Sequence, residues 1–219
     1  MTENKQIPTR TLVLTAALTA MVVILQLLGS FIKFGVFSIS LVLIPIVIGA
    51  AICGVGSGAW LGLAFGITVL ISGDAAAFLA IDPFGTVVTV LLKGALAGLA
   101  SGFTYKIIAV ACAKYGSDRK STKWVWLDKV VSWILKYLPV LVAAIVCPIV
   151  NTGIFLVGCN LFFYETIAEW ASSLDYSNAV SYMFLGLAGG NFLFELLFNV
   201  ILSPVIVRIL SINEKVFKF

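Results

Sequence analysis

Residues 138–163 read LPVLVAAIVCPIVNTGIFLVGCNLFF, without one charged side chain. At ~1.5 Å per residue, a helix of this length crosses the ~30 Å hydrocarbon core of a bilayer. Buried helices of soluble proteins carry much shorter apolar runs. Similar stretches recur on both sides, at about 11–30, 41–53, 57–72, 86–108 and 182–210. The second is short and holds Pro45, so it and the third are expected to form a tight hairpin. Met1 to Arg10 is polar and has no small-residue cleavage site, and the apolar run behind it is too long for a signal peptide, so that run is the first helix.

Composition agrees. Hydrophobic residues make up 61% of the 219 and charged residues 11%, against about a quarter charged in a soluble domain; mean hydropathy is +1.13. A soluble globular chain and a disordered one are both excluded. The expected fold is an all-α integral membrane protein, a compact bundle of six transmembrane helices forming one domain over residues 1–219.

Basic residues orient the bundle. Seven of the 14 lysines and arginines lie between Lys106 and Lys136, and the termini add Lys5, Arg10, Arg208, Lys215 and Lys218. With six helices these twelve share one side, which the positive-inside rule makes the cytoplasm. The other side has Lys33 as its only basic residue, beside Asp74, Asp82, Glu165, Glu169 and Asp175. Both termini are therefore expected to be cytoplasmic, at the cell membrane. Within the basic segment Trp124, Leu127, Val131, Ile134 and Leu138 recur at helical spacing, which predicts an interfacial amphipathic helix near 124–137. The charge of this loop reads as topology and attraction to anionic lipid, not nucleic-acid binding.

Several chemistries are missing. There is no histidine, which removes Ser–His hydrolysis, His-ligated metals and histidine proton relays. Cys53, Cys112, Cys147 and Cys159 lack metal-ligand spacing and read as small packing residues. Gly54-Val55-Gly56-Ser57-Gly58 lacks the lysine of a phosphate-binding loop, so the chain does not hydrolyse ATP by itself. No metal, no cofactor and no enzymatic activity are expected.

Ionisable groups inside a membrane are costly and are functional candidates by default. Lys93 falls ~10 Å below the outer end of helix four and Glu195 ~20 Å below that of helix six. Thr86, Thr89 and Lys93 share a face, and Asn191, Glu195 and Asn199 follow at i, i+4 and i+8. Lys93 and Glu195 either form a buried ion pair or contact a ligand. On helix five Pro148 interrupts the backbone ladder just before Asn151, Thr152 and Gly153. Asn151, Phe155, Gly158 and Phe162 then share a face, suited either to a solute or to helix packing. Gly58, Gly62 and Gly66, like Gly94, Gly98 and Gly102, recur every fourth residue and read as close helix contacts. Ala16-x-x-x-Ala20, with Thr11, Thr15 and Thr19, gives helix one a small, slightly polar face. The outer segments Phe31–Ser40 and Gly73–Pro83 are apolar enough to fold over the bundle mouth as lids.

Six helices with both ends inside, Ala16-x-x-x-Ala20, the apolar first outer loop and the run SLVLIPIVIGA at 40–50 ahead of a glycine-rich helix together resemble a known family. The chain resembles the substrate-binding S components of energy-coupling factor (ECF) vitamin transporters, in particular the riboflavin, pantothenate and folate group. The resemblance spans nearly the whole chain. It implies high-affinity capture of a water-soluble vitamin from outside under the first outer loop. It also implies docking onto a transmembrane coupling protein with two ATPase subunits, whose ATP hydrolysis drives release inside. Ala16 and Ala20 match the family's docking motif, and the ligand region of the outer half maps onto Lys93, Asn151, Phe155 and Asn191, with Glu195, also a candidate contact, nearer the midplane. Lys93 suits the carboxylate of pantothenate and the phenylalanines suit the ring of riboflavin; both remain open. Two other classes stand beside this reading: a secondary transporter using Glu195 as a proton site, and a small membrane-embedded lipid-modifying enzyme.

Overall fold

The computed structural model describes residues 8–31, 33–34, 37–38, 41–118 and 125–216, with side chains placed over 8–31, 41–118 and 126–212. Helix α1 (Thr9–Ser30) starts directly after Pro8, whose fixed φ of −58° suits the residue before a helix. Two-residue strands β1 (Lys33–Phe34) and β2 (Phe37–Ser38) pair antiparallel between α1 and the next helix. Helices α2 (Leu43–Ile52) and α3 (Val55–Ser72) form the expected hairpin. Gly54 turns the chain between them at φ 96°, a conformation that a side chain makes strained. The segment Gly73–Pro83, expected to act as a lid, holds a single helical turn, α4 (Ala76–Leu79).

Among the described residues five helices are long and apolar enough to cross a membrane, and α2 is a shorter apolar one. Two greatly exceed a bilayer's needs. Helix α5 (Pro83–Asp118) has 36 residues and α6 (Val125–Phe162) has 38, so each runs for ~55 Å. They pack along one another as the most extensive helix pair of the bundle. The interfacial helix expected near 124–137 is therefore corrected, because these residues form the first part of α6 and no break separates them from the span. Leu127, Val131 and Leu135 are half-buried at the usual three- to four-residue spacing, while Ile134 and Leu138 are exposed. Packing on the equally long α5 explains the continuity, and Trp124 lies outside the described residues.

Helix α7 (Tyr164–Ser173) follows the end of α6 after Phe163. The last span begins with α8 (Ala179–Ser181), started by Asn178 accepting the Ser181 N–H at 2.8 Å. It continues as a π-helical segment, Tyr182–Gly189, and becomes α9 (Gly190–Val216). The start of α1, the α2–α3 turn, the end of α5, the start of α6 and the end of α9 gather at one side of the bundle. The α3–α5 connection, the end of α6 and α7 occupy the other.

The core joins these elements through α3 and α5. A Cβ placed on Gly62 would collide with the Gly94 carbonyl, and one on Gly98 with that of Gly58. On Gly66 it would sit 2.8 Å from Val90 O. The four-residue glycine spacing is thus a backbone-to-backbone seam. It brings Phe65 on α3 against Lys93 on α5.

Candidate functional site

Four helices send polar groups to one place in the half of the bundle opposite the start of α1. The main cavity encloses about 70 Å³, space for a few water molecules. Its polar lining is Gln26 from α1, Asp74 from the α3–α4 turn, Thr86, Thr89 and Lys93 from α5, and Asn191 and Glu195 from α9. Phe65, Phe78, Phe155 and Phe163 supply its aromatic wall. A smaller extension is lined by Lys93, Asn151, Phe155 and Asn191.

The carboxylate of Glu195 organises the inner end. Asn191, one turn earlier on α9, donates its Nδ2–H to Oε1 at 3.2 Å, and Asn151 on α6 donates to Oε2 at 3.4 Å. Asn199, one turn later, donates to the Glu195 backbone carbonyl at 3.0 Å. Asn151, Glu195 and Asn199 are all buried. Buried carboxylates persist when their lone pairs are satisfied this way. A parallel arrangement lies elsewhere in the cavity lining, where Gln26 donates from Nε2 to Asp74 Oδ2 at 2.6 Å.

Lys93 behaves differently. Its Nζ lies 5.2 Å from the centre of the Phe155 ring and 5.7 Å from that of Phe65, within cation–π range. Among the described residues it makes no ion pair, so the Lys93–Glu195 salt bridge that the sequence allowed is not formed. The two charges face one cavity without closing on each other. Several polar atoms around it are buried without a partner: Gln26 Oε1, Thr89 Oγ1, Asn151 Oδ1 and Asn191 Oδ1. Such atoms cost ~1–3 kcal/mol each in a dry interior, and cluster here at one site.

Phe78 covers the cavity at the α3–α5 connection. Its ring packs edge-on against Phe155 at 5.8 Å, Phe163 at 5.0 Å and Trp170 at 5.9 Å. The single turn α4 carries it, held between long helices by aromatic contacts.

The structure brings Lys93, Asn151, Phe155, Asn191 and Glu195 together as the sequence grouped them. Phe162, read on the same face, instead packs where a Gly85 Cβ would stand, and Gly158 receives Thr89. The inward aromatic is its neighbour Phe163, which follows the end of α6. Sequence reasoning missed Gln26, Phe65 and Phe163. Gln26 carried a usable signal, as the one carboxamide inside an otherwise apolar first span. Ala16 and Ala20 lie on an exposed face of α1. Ala16, but not Ala20, lines a separate groove of about 820 Å³ shared with Thr11, Thr15, Thr19, Ser57 and Trp60. There Thr15 Oγ1 donates to Ser57 Oγ at 3.1 Å and the Trp60 indole N–H to Thr19 Oγ1 at 3.2 Å.

A helical membrane bundle with a polar, aromatic-walled cavity in one half belongs with proteins that handle solutes. The family described as ECF transporter, substrate-specific component, matches residues 10–207, and the chain belongs to that family. It is a family of transporter components, not of enzymes, and it implies a small-molecule substrate with membrane and ATPase partner modules. Neither the curated proteins nor the solved structures gave a match.

Proposed function

We propose that the chain acts as one six-helix membrane domain over residues 1–219, the high-affinity substrate-capture subunit of an ECF-type importer for a water-soluble vitamin or related small molecule. One observation carries this reading. Gln26, Lys93, Asn151, Asn191 and Glu195, from four separate helices, converge on one cavity in the half opposite the basic ends. Ionisable groups are retained inside a membrane for such a role. Both termini and the α5–α6 turn face the cytoplasm by their positive charge, so the cavity opens to the outside beneath Phe78 and the first outer loop. A vitamin is larger than the present cavity, and entry moves Phe78 and its neighbours outward.

Energy comes from other chains. Ala16 and Ala20 leave α1 without bulk on an exposed face, suited to a helix of the coupling protein that carries two ATPase subunits. Pantothenate, through Lys93, and riboflavin, through the phenylalanines, are the two candidate solutes. The test is uptake into proteoliposomes by the chain alone and by the chain with coupling protein and ATPases. Uptake only with the full module and ATP supports the reading. Solute accumulation by the chain alone under a proton gradient would make it a secondary transporter.

A further inference from the structure

The orientation of three carboxamides is fixed by chemistry. A carboxylate accepts hydrogen bonds and donates none, so each amide beside one must present its NH2 group to it. Asn151 and Asn191 give theirs to Glu195, and Gln26 gives its own to Asp74. All three amide oxygens are thereby turned away from the carboxylates, and all three are buried without a partner. Gln26 and Asn151 are 2% and 3% exposed, so bulk water does not serve them. These oxygens are unpaired acceptors on residues that line the cavity, Gln26 and Asn191, and its smaller extension, Asn151 and Asn191. Among the described residues the cavity's one cation is Lys93, held against two aromatic faces and without an ion-pair partner there.

We infer that the substrate is a small organic anion rich in hydroxyl, amine or amide N–H donors: its anionic group pairs with Lys93 and its donors meet the three amide oxygens. A neutral, acceptor-rich ring system would leave both sets unpaired, and unpaired buried groups discriminate strongly against the wrong solute. Asn151 and Asn191 donate to both Glu195 oxygens and Gln26 to one Asp74 oxygen; as carboxylates these two repel an anion, which leaves Lys93, among the described lining residues, as the group an anion pairs with. The inference rests on the capture reading above and names the chemistry of the captured solute.

The experiment uses the full chain in nanodiscs and its thermal stability as readout. The probe is a yeast-extract filtrate of small metabolites, split by anion exchange into a retained anionic fraction and a flow-through. Stabilisation by the anionic fraction, weakened about 10- to 100-fold in apparent affinity in Lys93→Met and preserved in Lys93→Arg, is the expected result. Lys93→Gln replaces Lys93→Met where that variant fails to fold. The stabilising molecule is then identified by mass, and one without hydroxyl, amine or amide N–H groups would overturn the donor half. Stabilisation confined to the flow-through would overturn the anion half while leaving solute capture standing. No stabilisation by unfractionated filtrate would sink the capture reading, and this inference with it.

Discussion

The seam between α3 and α5 makes a graded prediction. In Gly62→Ala the new methyl meets the Gly94 carbonyl and comes within 3.2 Å of Ala95 N, both backbone groups that cannot rotate away. Forcing a methyl into a filled contact costs ~1–3 kcal/mol, occasionally more. Replacing a helical glycine by alanine returns ~0.5–1 kcal/mol. The net expectation is a loss of ~2 kcal/mol, or ~5 °C in thermal midpoint for a chain of this size. Gly66→Ala, 2.8 Å from Val90 O, should lose ~1 kcal/mol by the same balance. Gly153→Ala serves as the control, because its Cβ would meet nothing within 4 Å and only the helical gain of up to ~1 kcal/mol remains. The assay is the thermal midpoint of purified protein in one detergent. Because the seam also sets Phe65 against Lys93, Gly62→Ala should weaken solute binding as well. Midpoints that fail to follow the order Gly153→Ala, wild type, Gly66→Ala, Gly62→Ala would refute the packing argument.

Other perturbations separate the parts of the protein. Asn151→Ala should weaken solute binding by ~1–3 kcal/mol, measured by equilibrium titration, as expected for loss of a buried polar partner; unchanged affinity would move the site. Ala16→Leu with Ala20→Leu should abolish ATP-driven uptake while leaving affinity intact, whereas an equal fall in both would deny these residues a docking role. Phe78→Ala removes a ring packed on three aromatics and should cost ~3–5 kcal/mol of stability and speed solute dissociation in stopped flow; an unaltered off-rate would mean Phe78 does not close the cavity. A cysteine placed at exposed Ser117 in a cysteine-free background should react with an impermeant maleimide only in inverted vesicles, and labelling of intact cells would reverse the topology.

The helices and the costly charges were legible in the sequence because both rest on strong local signals. Uninterrupted apolar runs announce spans, and Lys93 or Glu195 inside one is conspicuous. Glycine spacing likewise announced the α3–α5 seam that the backbone contacts display. What sequence could not supply is registry between helices. Gln26 and Asp74 sit 48 residues apart, and nothing local says that they meet. Phe162 and Phe163 are adjacent, so which ring turns inward depended on where α6 ends. The continuity of α6 through Pro139 was hidden because the charged stretch before it reads as a membrane boundary. Its partner α5, equally long, supplies a packing surface beyond the bilayer. The π-helical segment before Asn191 has no sequence signature of its own.

The most direct measurement is mass spectrometry of the small molecules released on denaturing the purified protein after growth in rich medium, wild type beside a Lys93→Met/Asn151→Leu double variant. The account predicts about one solute per wild-type chain and at least a tenfold lower load on the variant. Equal loads on the two proteins, or a wild type that carries no solute, would contradict it.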